Sequence, residues 1–170
     1  MKLRKLVMTA LLMALTCVAT IVIQVPSPMN GYVNLGDCIV LISGWLLGPV
    51  WGFAAGGIGS ALADLLSGYA HYIPGTLIIK GLMSVMAALI AGSSAGHALR
   101  RTISAAAAEI WMVAGYFIYA SLLLGKGLAA AASIPGNLIQ GVFGLAAGLV
   151  LYMVLERSGA RKALRLEGEH

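Results

Sequence analysis

The sequence contains very few charged residues. Only 10% of its 170 residues are Asp, Glu, Lys or Arg, whereas about a quarter of a soluble domain is charged. Six acidic residues stand against eleven basic ones, for a formal net charge of +5. Hydrophobic residues make up 60% of the chain, and its mean hydropathy is +0.94. This composition excludes an ordinary soluble domain and indicates an integral membrane protein.

Motifs for metal, phosphate and nucleophile chemistry are also lacking. The two cysteines, Cys17 and Cys38, lie in apolar stretches without metal-ligand spacing. There is no H-E-x-x-H pattern and no Gly-Lys-Ser/Thr phosphate-binding element, so the chain should not hydrolyse ATP. GSSAG at 92–96 matches G-x-S-x-G, but it ends an apolar run and does not join a strand to a helix. We therefore expect no enzyme activity, no cofactor and no metal site.

Apolar runs divide the chain into six predicted membrane spans, at 6–25, 38–47, 50–66, 76–95, 104–124 and 134–155. A spanning helix needs about 20 apolar residues, so the second run is short. It is compatible with a tilted or short helix, or with a re-entrant hairpin formed with the third run. The predicted fold is an all-α membrane protein, a single six-helix domain over 1–170 with tails at 1–5 and 156–170.

The basic residues cluster at the ends of alternate spans. Three precede the first span, two lie between the fourth and fifth, and four follow the sixth: Lys2, Arg4, Lys5, Arg100, Arg101, Arg157, Arg161, Lys162 and Arg165. With six spans, all three groups fall on one side, which the positive-inside rule assigns to the cytoplasm. Both termini are then cytoplasmic, and 26–36, 67–74 and 125–133 are outer loops. This clustering favours a topological role over nucleic-acid binding.

Small residues in two spans predict close helix contacts. The third span carries them at helical spacing, at Gly52, Ala55, Gly56, Gly59 and Ala63. Small residues four apart let helix backbones approach closely, and for this span we favour packing inside the bundle. Ala10 and Ala14 form a similar pair in the first span. The sequence leaves open whether they face a helix of the same chain or a partner protein.

Charged residues inside spans are costly and usually mark partners or pathways. Asp64 and Lys80 lie near the outer ends of neighbouring spans, roughly 5 and 9 Å below the rim at about 1.5 Å per residue. An Asp64–Lys80 ion pair is the favoured interpretation, and contact between Lys80 and a ligand is the alternative. Asp37 lies at a span edge, and Glu109 has no assigned role.

The outer halves of the last two spans carry uncharged polar side chains. Tyr116 and Tyr119 are three residues apart in GYFIYAS, and Asn137 and Gln140 are three apart in SIPGNLIQG, so each pair shares a helix face. Phenols and amides provide stacking surface and directed hydrogen bonds for a small polar ring compound. An interfacial aromatic belt with interhelical hydrogen bonds explains them equally well.

Four segments together resemble the substrate-binding S component of energy-coupling factor (ECF) vitamin transporters. They are YVNLGDCIVLISGWLLGPVWGFAAGGIGSALADLLSGY, YIPGTLIIKGL, GYFIYAS and SIPGNLIQG. Ala10 and Ala14 match the small-residue motif of that family's first helix, which packs on the energy-coupling transmembrane subunit. The resemblance implies a binder with no ATPase of its own, in the plasma membrane of a prokaryote. An energy-coupling subunit and two ATPase subunits would complete the importer.

The resemblance also implies a ligand site near the outer face, formed by the first outer loop and helices four to six. Its candidate residues here are Asn30, Tyr32, Asn34, Asp37, Lys80, Tyr116, Tyr119, Asn137 and Gln140. We expect a closed pocket capped by residues 27–36. A B6-like compound, a pyrimidine thiamine precursor and pantothenate are the expected ligands, and the sequence does not select among them. A structural or assembly protein without a ligand is the alternative; it predicts that these polar groups all satisfy one another.

Overall fold

The apolar runs fold as helices in this computed structural model, which describes residues 2–27, 30–92 and 98–158. The α-helices are α1 Lys2–Val22, α2 Asp37–Leu47, α3 Pro49–Phe53, α4 Gly59–Leu66, α5 Ile73–Ala91, α6 Ala98–Ile118 and α7 Ile134–Arg157. A π-helical turn, Ala54–Ile58, joins α3 to α4, and a second, Tyr119–Leu123, extends α6. Short 3₁₀ segments, Ala70–Tyr72 and Gly127–Ser133, precede α5 and α7.

Five helical segments of the described chain are long and apolar enough to cross a membrane. They are Leu3–Val22, Pro49–Leu66, Ala70–Ala91, Ala98–Leu123 and Gly127–Arg157. The sixth, α2, is apolar but has only 11 residues. The predicted all-helical membrane fold is confirmed, including the short second segment. Helix α1 begins at Lys2, so the segment predicted as the N-terminal tail is helical, and its cytoplasmic location stays a prediction.

Some predicted features lie outside the described residues. The basic residues Arg161, Lys162 and Arg165 of the predicted C-terminal tail are among them, as are Ser94 and His97 around the GSSAG sequence. The described basic residues Arg4, Lys5, Arg100, Arg101 and Arg157 lie at the start of α1, the start of α6 and the end of α7. The cytoplasmic location of this end remains a prediction from the positive-inside rule.

Glycine and proline set the sharp junction between α2 and α3. Helix α2 ends at Gly48, whose φ of +79° is in the left-handed region that glycine adopts without steric cost. Pro49 follows in the first turn of α3, where its missing N–H is not needed. The chain therefore reverses within a single residue, and α2 packs against α3 as well as against α5 and α7.

The first outer loop contains a β-hairpin that the sequence analysis did not predict. Strands β1 Gln24–Ser27 and β2 Gly31–Asn34 pair antiparallel, with Val25 opposite Val33. The first apolar run was predicted to stay helical to residue 25, which is wrong because the chain leaves α1 after Val22. Cross-strand pairing of β-branched side chains favours the extended chain here.

The small residues of the third span pack inside the bundle, as predicted. A Cβ atom on Gly52 would lie 2.9 Å from the Gly44 Cα atom in α2. A Cβ atom on Gly56 would lie 2.6 Å from the Ser84 Oγ atom in α5. One on Gly59 would lie 2.6 Å from the Met13 carbonyl oxygen in α1. Each contact is too short for any larger residue, so glycine lets this span approach three helices.

Candidate ligand-binding site

Helix ends and the hairpin surround a cavity that is lined mainly by polar and aromatic side chains. The C-terminal ends of α1, α4 and α6 meet the N-terminal ends of α5 and α7 around it, and β1 and β2 form part of its wall. The described basic clusters at the starts of α1 and α6 and at the end of α7 lie at the opposite helix ends. The cavity therefore lies at the end that the sequence predicts to be outside the cell.

The cavity brings together most of the predicted site residues. Six of the nine line it: Tyr32, Asn34, Lys80, Tyr116, Asn137 and Gln140. Eight further lining residues were not predicted as ligand contacts: Thr20, Ser27, Gly31, Ser60, Asp64, Tyr72, Thr76 and Ser133. Residues of both hairpin strands lie in the wall, and closure of the pocket by this loop stays a prediction.

Three predicted site residues are not in the cavity lining. Asn30 is exposed in the hairpin turn with a φ of +52°. Asp37 is buried and contacts Lys80 instead of the cavity. Tyr119 donates a hydrogen bond to the His71 carbonyl oxygen at 2.8 Å. Its ring packs on Tyr72, as the Tyr116 ring does, with centroid distances of 6.0 and 6.2 Å, so the two tyrosines share a face although only Tyr116 lines the cavity.

Lys80 forms a buried ion pair with Asp37, and the predicted pair with Asp64 is wrong. The Lys80 Nζ atom donates to the Asp37 Oδ1 atom, and the two side chains are 2% and 1% exposed. Asp37 is the first residue of α2, and α2 packs directly against α5. The prediction considered only the depths of Asp64 and Lys80 along neighbouring spans. It missed that the short α2 places a closer carboxylate beside Lys80.

Gln140 connects this ion pair to the hairpin. Its Nε2 atom donates to the Asp37 Oδ2 atom at 2.7 Å. Its Oε1 atom accepts from the backbone N–H of Asn34 at 2.8 Å. The Asn34 Oδ1 atom in turn accepts from the Gly36 N–H at 2.8 Å. Burying a polar group costs free energy unless it is hydrogen-bonded. Here the buried polar groups of α2, α5, α7 and β2 hydrogen-bond to one another.

Aromatic side chains form the wall on the α5 and α6 side. The Tyr116 hydroxyl and the Thr76 Oγ1 atom lie 3.0 Å apart and share a hydrogen bond. The Tyr72 and Tyr116 rings meet edge to face with centroids 6.2 Å apart. The Lys80 Nζ atom lies 5.5 Å from the Tyr116 ring centroid, within cation–π range. This wall offers aromatic surface to a ring compound.

The part of the cavity wall on α1, α4 and β1 carries polar atoms without partners among the described residues. The Tyr32 hydroxyl donates to the Asp64 Oδ1 atom at 2.6 Å. Burial, together with the neighbouring Asp64 carboxylate, raises the pKa of Tyr32 well above its ordinary value, so this phenol remains a donor. Among the described residues, no hydrogen-bond partner exists for four other buried atoms of this wall: Thr20 Oγ1, Ser27 Oγ, Ser60 Oγ and Asp64 Oδ2. The Ser60–Asp64 spacing of four residues was the sequence signal for a shared helix face.

Glu109 points into the bundle. Its side chain is 5% exposed, and neither carboxyl oxygen hydrogen-bonds to a residue that the structure describes. A Cβ atom on Gly144 would lie 2.6 Å from the Glu109 Oε1 atom and 2.7 Å from the Asp37 Cβ atom. Glycine in α7 thus leaves room for the Glu109 side chain beside the Asp37–Lys80 pair.

Comparison with known proteins gives a consistent class. Residues 1–157 match the family described as the ECF-type riboflavin transporter, S component. An uncharacterized protein of Pyrococcus woesei is 34% identical over 141 residues, covering 82% of this chain and 93% of that protein. The thiamine precursor transporter HmpT of Lactococcus lactis is 28% identical over 164 residues, covering 95% of this chain and 93% of that protein.

The helical fold and the polar cavity thus agree with a membrane transporter subunit. The chain belongs to the ECF-type riboflavin transporter S component family, whose match extends over nearly its whole length. Members of this family are substrate-binding transporter subunits and not enzymes, so the same holds for this multi-pass membrane protein. The resemblance noted from the sequence motifs is thereby confirmed.

Proposed function

We propose that the protein captures a small vitamin or vitamin precursor in the cavity between the hairpin and α5–α7. The family description names riboflavin, and the Lactococcus relative is named for a thiamine precursor. Support for a ring compound comes from the aromatic wall of Tyr72 and Tyr116, which lines the cavity. Asn30, Asp37 and Tyr119 are left out of the proposed contacts, because they do not line this space.

The observation that carries the proposal is the set of unpartnered polar atoms on the cavity wall. A structural protein without a ligand should satisfy its buried polar groups internally. Lys80, Asp37 and Gln140 bond to one another, whereas Ser60 Oγ and Asp64 Oδ2 in the cavity lining have no partner among the described residues. A bound ligand supplies the missing partners, which favours the substrate-binding function over a purely structural one.

We further propose that Ala10 and Ala14 dock on an energy-coupling transmembrane subunit in a prokaryotic plasma membrane. Both are exposed on α1, whereas Thr9, Leu12 and Thr16 of the same helix are buried. Their exposure on α1 supports contact with a partner over packing within the chain. Small side chains allow the close backbone contact that helix pairs form in membranes. Two ATPase subunits would supply the energy for uptake, since this sequence contains no phosphate-binding element.

A binding screen on the purified full-length protein tests the proposed capture function. Thermal unfolding in detergent would be followed with riboflavin, a B6-like pyridine, a hydroxymethyl aminopyrimidine and pantothenate. A ligand that binds only the folded state raises the unfolding temperature in a concentration-dependent way. We expect one compound to do so, and Asn137→Ala to reduce the effect. No shift with any compound would contradict the proposal.

A further inference from the structure

The Asp64 side chain has one satisfied and one unsatisfied carboxyl oxygen. It is 3% exposed and lies in the cavity wall. The Oδ1 atom accepts from the Tyr32 hydroxyl at 2.6 Å, which fixes the orientation of the carboxyl group. The Oδ2 atom is buried and has no hydrogen-bond partner among the described residues. An oriented acceptor without a partner is expensive in the apo protein, so a ligand group that satisfies it gains affinity.

The charge of the cavity lining restricts which ligand group that is. Lys80 is the only Lys or Arg among the described lining residues, and Asp37 already neutralises it. No comparable basic side chain pairs with Asp64 in the described part of the chain. A ligand carboxylate would therefore meet an acidic group with no available counter-charge in the lining, whereas an N–H donor would meet a vacant acceptor.

Hydroxyl groups extend the same wall on either side of Asp64. Ser60 lies one helical turn before Asp64 on α4, and its Oγ atom has no partner among the described residues. The Thr20 hydroxyl of α1 also lines the cavity and has no hydrogen-bond partner among the described residues. Hydroxyls can donate or accept, so they suit ring nitrogens or hydroxyl substituents. This wall therefore combines one oriented acceptor, the Asp64 Oδ2 atom, with two hydroxyls that can donate or accept, those of Ser60 and Thr20.

We infer that Asp64 is the specificity-determining contact for an exocyclic amine or equivalent N–H donor on a heteroaromatic ligand. This inference deepens the proposed function and rests on it. The ring lies between the Tyr72–Tyr116 wall and α4, and its amine donates to the Asp64 Oδ2 atom. The site rejects carboxylate compounds such as pantothenate.

Two matched probes test this assignment by calorimetric titration of the full-length protein. One is a hydroxymethyl aminopyrimidine, and the other is the same pyrimidine with a methyl group in place of the amine. A hydrogen bond to a charged group corresponds to a difference of at least about 10-fold in affinity. We expect the wild type to prefer the amine by that factor and Asp64→Asn to lose the preference. Glu156→Gln, an exposed acid-to-amide change near the end of α7, should retain it.

The outcomes separate the two proposals. Equal wild-type affinities for the two probes overturn the Asp64 assignment, as does a preference that survives Asp64→Asn. A lack of binding by either probe, with no response to riboflavin, the pyridine or pantothenate, overturns the capture function itself. If Asp64→Asn does not fold, the wild-type comparison of the two probes decides alone. Tight binding of pantothenate by the wild type contradicts the Asp64 assignment, whether or not Asp64→Asn folds.

Discussion

Lys80 and Asp37 form an ion pair that is almost completely buried between α5 and the start of α2. Its geometry explains why a lysine is tolerated in an otherwise uncharged helix. Removing one partner of a buried pair typically costs about 3–5 kcal/mol, because the other charge is left without compensation. The Gln140 Nε2 atom also donates to Asp37, but an amide does not cancel a charge.

We predict that Lys80→Met lowers the free energy of unfolding by about 3–5 kcal/mol. The double variant Asp37→Asn, Lys80→Met should recover most of that loss, since neither charge remains. Asp64→Asn, Lys80→Met is the matched control and should not recover it. Denaturant unfolding in detergent measures all three. Recovery by the Asp64 change and not by the Asp37 change would contradict the observed pairing.

Asn137 and Gln140 should behave differently although both line the cavity. Gln140 bonds to Asp37 and Asn34, so Gln140→Ala should reduce both apo stability and ligand affinity. The Asn137 side chain makes no hydrogen bond to another described residue, so Asn137→Ala should leave apo stability nearly unchanged. It should weaken ligand binding by about 1–3 kcal/mol, the cost of a lost polar partner. Unfolding curves with and without ligand separate the effect on apo stability from the effect on ligand affinity. Equal losses of apo stability in Gln140→Ala and Asn137→Ala would contradict this prediction.

Tyr32 should keep its proton at a pH where exposed tyrosines ionise. Burial and the Asp64 carboxylate raise its pKa, so its stabilising contribution is present below about pH 10, the ordinary tyrosine value. It is lost as the pH rises through the elevated folded-state pKa. Stability should therefore fall less steeply above about pH 10 in Tyr32→Phe than in the wild type. Phenolate absorbance provides the check. If the folded wild type ionises one more tyrosine than folded Tyr32→Phe as the pH passes through about 10, the pKa of Tyr32 is not raised, which contradicts this prediction.

Bulky residues at Ala10 and Ala14 should block uptake without affecting the isolated subunit. Both alanines are exposed, so leucines there should not disturb the core. Uptake into vesicles that contain the coupling module should fall to background, while ligand affinity of the purified protein stays the same. Leucines at Ala114 and Ala146, exposed on α6 and α7, provide the control and should preserve uptake. A combined loss of uptake and binding in the α1 variant would instead indicate a folding role.

The helical architecture could be predicted because its signals are local. Apolar runs and the Gly48-Pro49 junction define the segments, and small residues in the third span define a face that is buried in the structure. Six of nine predicted site residues meet in one cavity, since polar groups at similar depths on neighbouring helices converge. These features depend on helix length and periodicity, both of which are visible in one sequence.

Other features depend on contacts that periodicity does not encode. The partner of Lys80 is set by where the short α2 inserts, and spacing along α4 and α5 gives no information about that. Tyr119 shares a face with Tyr116, but its hydroxyl bonds to the His71 carbonyl oxygen, a contact that helix periodicity does not encode. The hairpin arises in a loop with Pro26 and only four residues in each strand. The sequence analysis predicted an ion pair between Asp64 and Lys80, and the position of Asp64 in the cavity wall was therefore missed.

Native mass spectrometry of the gently purified protein shows whether a small ligand occupies this cavity. Ser60 is buried in the cavity wall, so Ser60→Phe should fill the space, whereas Ala146→Leu on the exposed face of α7 should not. We expect a bound compound of vitamin size on the wild type and on Ala146→Leu, and its loss from folded Ser60→Phe. The same adduct on all three proteins, or a wild type that carries none and takes up none of the candidate vitamins, would contradict this expectation.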